Sequence, residues 1–191
     1  MKLSPNSFFD GTFSYLNLND LFLKHQDVIK DSRDPSQIQS VLTPLGLTYG
    51  GYGEDRKDVW AGTYMDEKQN YIHLGIDIMV PMGTPIKCPF DAEVVDVFTD
   101  VDTRIGWGGR VIIRKDSGLY LVLAHIEPKS LVEAIYYREG NIIGTVGTWP
   151  TNGNTFHHLH VQAICTFYPD FDGYGYNSDL RNNPDPFTVE F

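Results

Sequence analysis

Cysteine is scarce in this chain: Cys88 and Cys165 are the two in 191 residues. They lack the CxxC spacing of thiolate metal sites and cannot build a multi-bridge framework, so the fold must rest on its own core. Two unpaired thiols behaving as small hydrophobes are the simplest reading; one bridge is the alternative in an oxidising compartment. Cationic side chains are also outnumbered, with 15 Lys and Arg against 25 Asp and Glu and a formal net charge of −10. Such a surface repels phosphate backbones, which argues against a nucleic-acid partner, and it weakly opposes capture by anionic membranes or wall polymers. Long apolar runs are missing as well. None approaches the roughly 18–20 residues of a membrane span. Nor does an apolar signal core follow Met1-Lys2-Leu3-Ser4-Pro5, so the expected location is the cytoplasm unless a leader has been removed.

What is abundant is histidine in one pattern. His73-Leu74-Gly75-Ile76-Asp77, Ala124-His125 and His157-His158-Leu159-His160 together hold five of the six histidines, and His25 alone stands apart. Packing gives no reason to gather imidazoles this way. Neutral imidazole and carboxylate are ligands for divalent transition metals, zinc above all. An open zinc site turns bound water into a nucleophile near neutral pH.

The first sixty residues differ in character from the rest. Asn19 is a candidate helix cap before Leu21, Phe22, Val28 and Ile29. Asp34-Pro35-Ser36-Gln37 has a helix-start pattern, with Ile38, Val41 and Leu42 as the apolar face and Gly46 as the stop. Tyr49–Gly53 reads as an aromatic, glycine-rich loop. From Tyr71 the period changes to two. Ile76 to Val80, Glu93–Phe98, Arg110–Arg114, Leu119–His125, Ile142–Val146 and His158–Cys165 are predicted strands, with a hairpin turn at Asp116-Ser117-Gly118. A short helix is expected over Pro128 to Tyr137, and Asn182–Pro186 as an irregular surface tail. The expected fold is mainly β, an antiparallel sheet core (residues 61–191) with a partly helical N-terminal extension (residues 1–60) packed on it.

Strand geometry makes the histidine pattern meaningful. Residues two or four apart on a strand face the same way, so His73 and Asp77 can share one point, and so can His158 and His160. His157 must then face away. On a helix, His158 and His160 would diverge by about 200° and could not share an ion.

The order HLGID, then AH, then HLH resembles the lysostaphin/LytM-type zinc endopeptidases. The likeness extends to the Val80-Pro81-Met82-Gly83-Thr84-Pro85-Ile86 turn and to the strands Asp91–Val95 and Gly108–Ile113, and covers about residues 70–167. Several positions depart from the family pattern. Leu123 stands where a tyrosine is usual, Phe156-His157 precedes HLH, and Thr148–Asn154 is an insert. The resemblance implies His73, Asp77 and His160 as ligands of Zn2+, with His125 and His158 as catalytic histidines. It implies a metallopeptidase that hydrolyses peptide amide bonds, with peptide or peptidoglycan cross-links as substrate. The alternatives are a cytoplasmic zinc hydrolase acting on another amide or ester, and an inert binding module. Residues 1–60 either pack against the core and narrow the cleft or supply an inhibitory fourth ligand. The aromatic–glycine segments Trp107-Gly108-Gly109, Trp149-Pro150 and Tyr168–Tyr176 either wall a groove or pack as ordinary loops. Asp170-Phe171-Asp172-Gly173 and the pair Asp100 and Asp102 read as plain acidic turns.

Overall fold

The computed structural model describes residues 1–62, 66, 69–100, 106–116, 118–167 and 180–191. Asp102, Ser117 and the Tyr168–Tyr176 segment, with its acidic turn at 170–173, lie outside the described residues.

The strands are β1 (Ser14–Tyr15), β2 (Thr48–Gly50), β3 (Ile76–Met79), β4 (Pro85–Lys87), β5 (Ala92–Thr99), β6 (Gly109–Arg114), β7 (Tyr120–Ile126), β8 (Tyr136–Tyr137), β9 (Ile142–Thr145) and β10 (Leu159–Ile164). Eight of them form one sheet in the order β1-β2-β3-β10-β7-β6-β5-β8, and β4 pairs with β9. Among the described residues, only the β1–β2 pair is parallel. The fold is mainly β, as the alternating pattern predicts.

The alternation sorts each strand into two faces. Ile76, Ile78, Val111, Ile113, Leu121, Leu123, Leu159 and Val161 turn one way and join the main core with Phe8, Phe9, Ile86 and Phe90. The opposite face carries Met79, which packs with Phe156, Leu18, Leu21, Ile29, Ile38, Leu42 and Val59 in a second cluster. Three short helices build that second cluster: α1 (Leu18–Lys24), α2 (Pro35–Leu42) and α3 (Lys57–Trp60). Each fully buried aliphatic side chain there stabilises the layer by about 1.5–3 kcal/mol.

Several local expectations are corrected. The cap of α1 is Asn17, whose side chain accepts from the Asp20 amide; Asn19 lies inside the helix. Asp34 caps α2 as expected, accepting from the Ser36 amide at 3.0 Å. Gln37 does not close a capping box. It accepts from the Lys30 and Asp31 amides instead, tying the preceding loop to the helix. The Tyr49–Gly53 loop begins in β2, which pairs with β3. Pro128–Ser130 is a single 3-10 turn, and the chain then extends into β8, which pairs with β5. A helix over that whole segment would forfeit these sheet bonds. The C-terminal tail is not merely laid on the surface. Asn183 is buried, Phe191 stacks on Phe90, and the Phe191 amide donates to the Met1 carbonyl. Asp100 is not a free turn, because its carboxylate accepts from the Trp107 and Gly108 amides. Both cysteines are unpaired, Cys88 buried and Cys165 exposed.

Candidate metal centre

The predicted residues meet on and beside three adjacent strands, on the face shared with Met79. In the β3–β10 register Asp77 sits opposite His160, and on its other side His160 sits opposite Ala124 of β7. Directly opposed residues in an antiparallel pair share a face at close range. His158 lies immediately before β10 and keeps the two-residue phase with His160. His73 lies outside β3, beyond a bend at Gly75. That bend depends on glycine, since a Cβ at Gly75 would stand 2.6 Å from Cε1 of His160.

His125 reaches the site by a route that strand alternation alone forbids. Leu121 and Leu123 face the main core, so His125 should follow them. Instead its backbone is left-handed, with φ of 62°, and the β6–β7 register shifts at this point. Ile126 then takes the core position, and the imidazole swings to the metal-site face. A non-glycine residue held in this region costs about 1–3 kcal/mol and persists only where its surroundings fix it.

His73, Asp77 and His160 are buried, and one donor atom from each lies within 4.8 Å of the others. Asp77 Oδ1 is 3.3 Å from His73 Nε2, 3.1 Å from His160 Nδ1 and 3.4 Å from His158 Nε2. The nitrogens turned away from this point are occupied. His73 Nδ1 donates to the Gly51 carbonyl at 3.0 Å. His160 Nε2 donates to Gln162 Oε1 at 3.0 Å, and Gln162 Nε2 donates to Asn183 Oδ1 at 2.6 Å. His158 Nδ1 donates to the Phe156 carbonyl at 2.9 Å, and His125 Nδ1 to the Asn152 carbonyl at 2.7 Å. These tautomers follow from the acceptor at each turned-away nitrogen. Each imidazole therefore directs a bare lone pair at the centre.

Burial disfavours a charge on three of the rings. It pushes His73 down to about 3, with Arg56 adding to the effect, and His158 down to about 4. Burial, then the neighbouring His158 and His160, hold His125 well below its ordinary value. Burial alone would raise the Asp77 carboxyl, but His73, His158 and the Arg56 guanidinium outweigh it and keep it well below the usual carboxylate range. The lone pairs of His73 and His160 and the Asp77 carboxylate, converging in a buried pocket, repel one another unless a cation sits between them. The donor set thus fits a divalent metal of borderline softness such as zinc.

The surrounding residues sort the aromatic expectations. Trp107 packs against His125 and His160, with ring centroids 6.0 and 5.3 Å away. Trp149 stacks on His157 at 4.5 Å, so His157 is a loop-packing residue turned from the centre. Tyr49 packs on Tyr15 and Phe187. His25 is the C-terminal cap of α1. The insert Thr148–Asn154 serves the centre directly. Its Asn152 carbonyl orients His125, and the buried Asn152 side chain holds Thr155 and Phe156. Arg56, Glu54, Gln162 and Asn183 were not predicted. Gln162 alone had a readable signal, two residues beyond His160 on the same strand face. The others come from segments far along the chain.

Two histidines and a carboxylate around one point are a donor set that metal-dependent hydrolases use. Residues 71–166, half of the chain, match the sequence model of Peptidase family M23, and the chain belongs to that family. The chain is 36% identical over 98 residues to the DD-carboxypeptidase/endopeptidase Mpg of Neisseria meningitidis serogroup B strain MC58, a stretch covering 51% of this chain and 21% of that protein. The Neisseria gonorrhoeae Mpg is 35% identical over 98 residues, with the same coverage. The chain thus spans about a fifth of the length of these curated relatives. Among solved structures, lysostaphin from Staphylococcus simulans aligns with a TM-score of 0.44 at 21% identity, over 58% of this chain and 43% of that one.

Proposed function

We propose that this chain is a zinc-dependent metallo-endopeptidase that hydrolyses peptide amide bonds, with peptidoglycan cross-links as its substrate class. The observation that carries the reading is the convergence of His73, Asp77 and His160 donor atoms within 4.8 Å of one another in a chain of the M23 family. The endopeptidase name of the Mpg relatives supports the substrate class. His73, Asp77 and His160 would hold the ion. When bound, zinc supplies Lewis-acid polarisation of the scissile carbonyl and lowers the pKa of water to about 7.

The remaining chemistry belongs to His125 and His158. Their rings lie 4.4 Å apart, and each presents Nε2 to the centre because Nδ1–H is committed to a backbone carbonyl. As the water oxygen bonds to the carbonyl carbon, its proton passes to one Nε2. The imidazolium so formed donates to the oxyanion and then delivers that proton to the departing amine nitrogen, restoring the neutral ring. Asp77 Oδ1 lies 3.4 Å from His158 Nε2, a counter-charge that partly offsets the burial disfavouring a proton there. Trp107 packs against both His125 and His160.

The test is a separation of metal from turnover. Purified protein should contain one zinc and release amines from sacculi in a chelator-sensitive manner. His125→Ala and His158→Ala should keep the zinc and lose at least a hundredfold in rate; His73→Ala and Asp77→Ala should lose the zinc. Full activity in metal-replete His125→Ala or His158→Ala protein would reject the assignment.

A further inference from the structure

The Asp77 carboxylate has a second side. Oδ1 faces the three histidines, while Oδ2 accepts from Arg56 Nη1 at 2.6 Å. Arg56 is 1% exposed. Its Nε donates to Glu54 Oε2 at 2.9 Å, and Glu54 Oε1 accepts from the Asn19 amide at 2.6 Å. The backbone of the same segment is pinned beside the first histidine. The Gly53 amide donates to the His73 carbonyl at 2.8 Å, the His73 amide to the Glu54 carbonyl at 2.9 Å, and the Arg56 amide to the Tyr71 carbonyl at 3.0 Å. The fit is close enough that a Cβ at Gly51 would collide with the Arg56 guanidinium and with His73 Nδ1.

A guanidinium is expensive to desolvate, and packing alone would be served as well by an apolar side chain. Its planar fork, unlike an ammonium, can hold two carboxylates at fixed angles. We propose that Arg56, braced by Glu54, is the positioning residue of the metal centre, fixing Asp77 so that one oxygen alone faces the histidines. The inference rests on the metal reading of His73, Asp77 and His160. Holding Oδ2 elsewhere prevents the carboxylate from rotating away and from engaging a cation through both oxygens, which preserves the open position a catalytic zinc requires. Glu54 balances the positive charge that would otherwise weaken Asp77 as a donor.

The experiment measures zinc affinity by chelator competition in the full chain, with melting temperatures of zinc-loaded and zinc-free protein. Arg56→Met and Arg56→Lys should both raise the zinc Kd by about 10- to 100-fold, since a lysine cannot span Glu54 and Asp77 together. The rise in melting temperature on adding zinc should shrink accordingly. A purely structural Arg56 would lower both melting temperatures equally and leave Kd within threefold of wild type, which would overturn the proposal. If neither Arg56 variant folds without metal, Glu54→Gln carries the same test at near-constant volume, and an unchanged Kd there overturns it. Absence of zinc from the wild-type protein would instead reject the underlying metal reading.

Discussion

His160 and Gly75 approach so closely that a single added carbon would lie 2.6 Å from the imidazole Cε1 and 2.7 Å from Nε2. The glycine separates the two upstream donors, His73 and Asp77, and its missing side chain is the space into which the third donor fits. Gly75→Ala is therefore expected to displace His160. Overpacking of this kind costs about 1–3 kcal/mol, visible in a thermal melt, and zinc affinity should fall at least tenfold by chelator competition.

The Gln162 amide holds the back of His160 and is itself held by Asn183. Gln162→Leu keeps the volume but removes the acceptor for His160 Nε2–H. The ring is then free to take the other tautomer, and zinc Kd should rise about 10- to 100-fold. Asn183→Ala leaves the Gln162 Nε2 donor unpaired in a buried site, costing about 1–3 kcal/mol of stability. Denaturant titration and chelator competition check the pair.

Asn152 separates proton handling from metal binding. Its side chain fixes the insert by donating to the Thr155 and Phe156 carbonyls, and its own carbonyl orients His125. Asn152→Ala should loosen that carbonyl, reduce turnover tenfold or more, and leave zinc content at wild-type level by elemental analysis.

Stripping the metal should lower stability by the binding free energy. At free zinc a thousandfold above Kd this amounts to about 4.1 kcal/mol. A melting temperature that rises with zinc in wild type but not in His73→Ala checks both the effect and its location.

The cysteines give an independent test of the fold. Cys165 is exposed and Cys88 buried, and burial pushes the Cys88 thiol up to about 11. A thiolate is the reactive form. Iodoacetamide at pH 8 should label one thiol per native chain and two after unfolding, with Cys165 identified by mass spectrometry.

The sequence was informative wherever side-chain period decided the structure. Alternation placed β5, β6, β7, β9 and β10 nearly to the residue, and it paired His158 with His160; the β3–β10 register that sets Asp77 opposite His160 came only with the fold. His125 was legible as a site residue only through its motif, because the left-handed backbone that delivers it breaks the alternation. The two-residue strands β1 and β8 carry too little pattern to be read alone; they form because neighbouring strands offer unpaired hydrogen-bonding groups. Arg56, Glu54 and Asn183 were hidden for a different reason. Each is an ordinary polar residue in its local context, and only tertiary folding brings it behind a buried histidine or carboxylate.

The guanidinium behind Asp77 and the amide behind Gln162 both originate outside residues 71–166. A fragment cut to that family-matched segment would retain every histidine of the pattern, yet its donors would lose the bracing that aims them. For dissection, grafting or expression of this chain, the mechanical unit is larger than the family-matched segment, and the flanks belong with it.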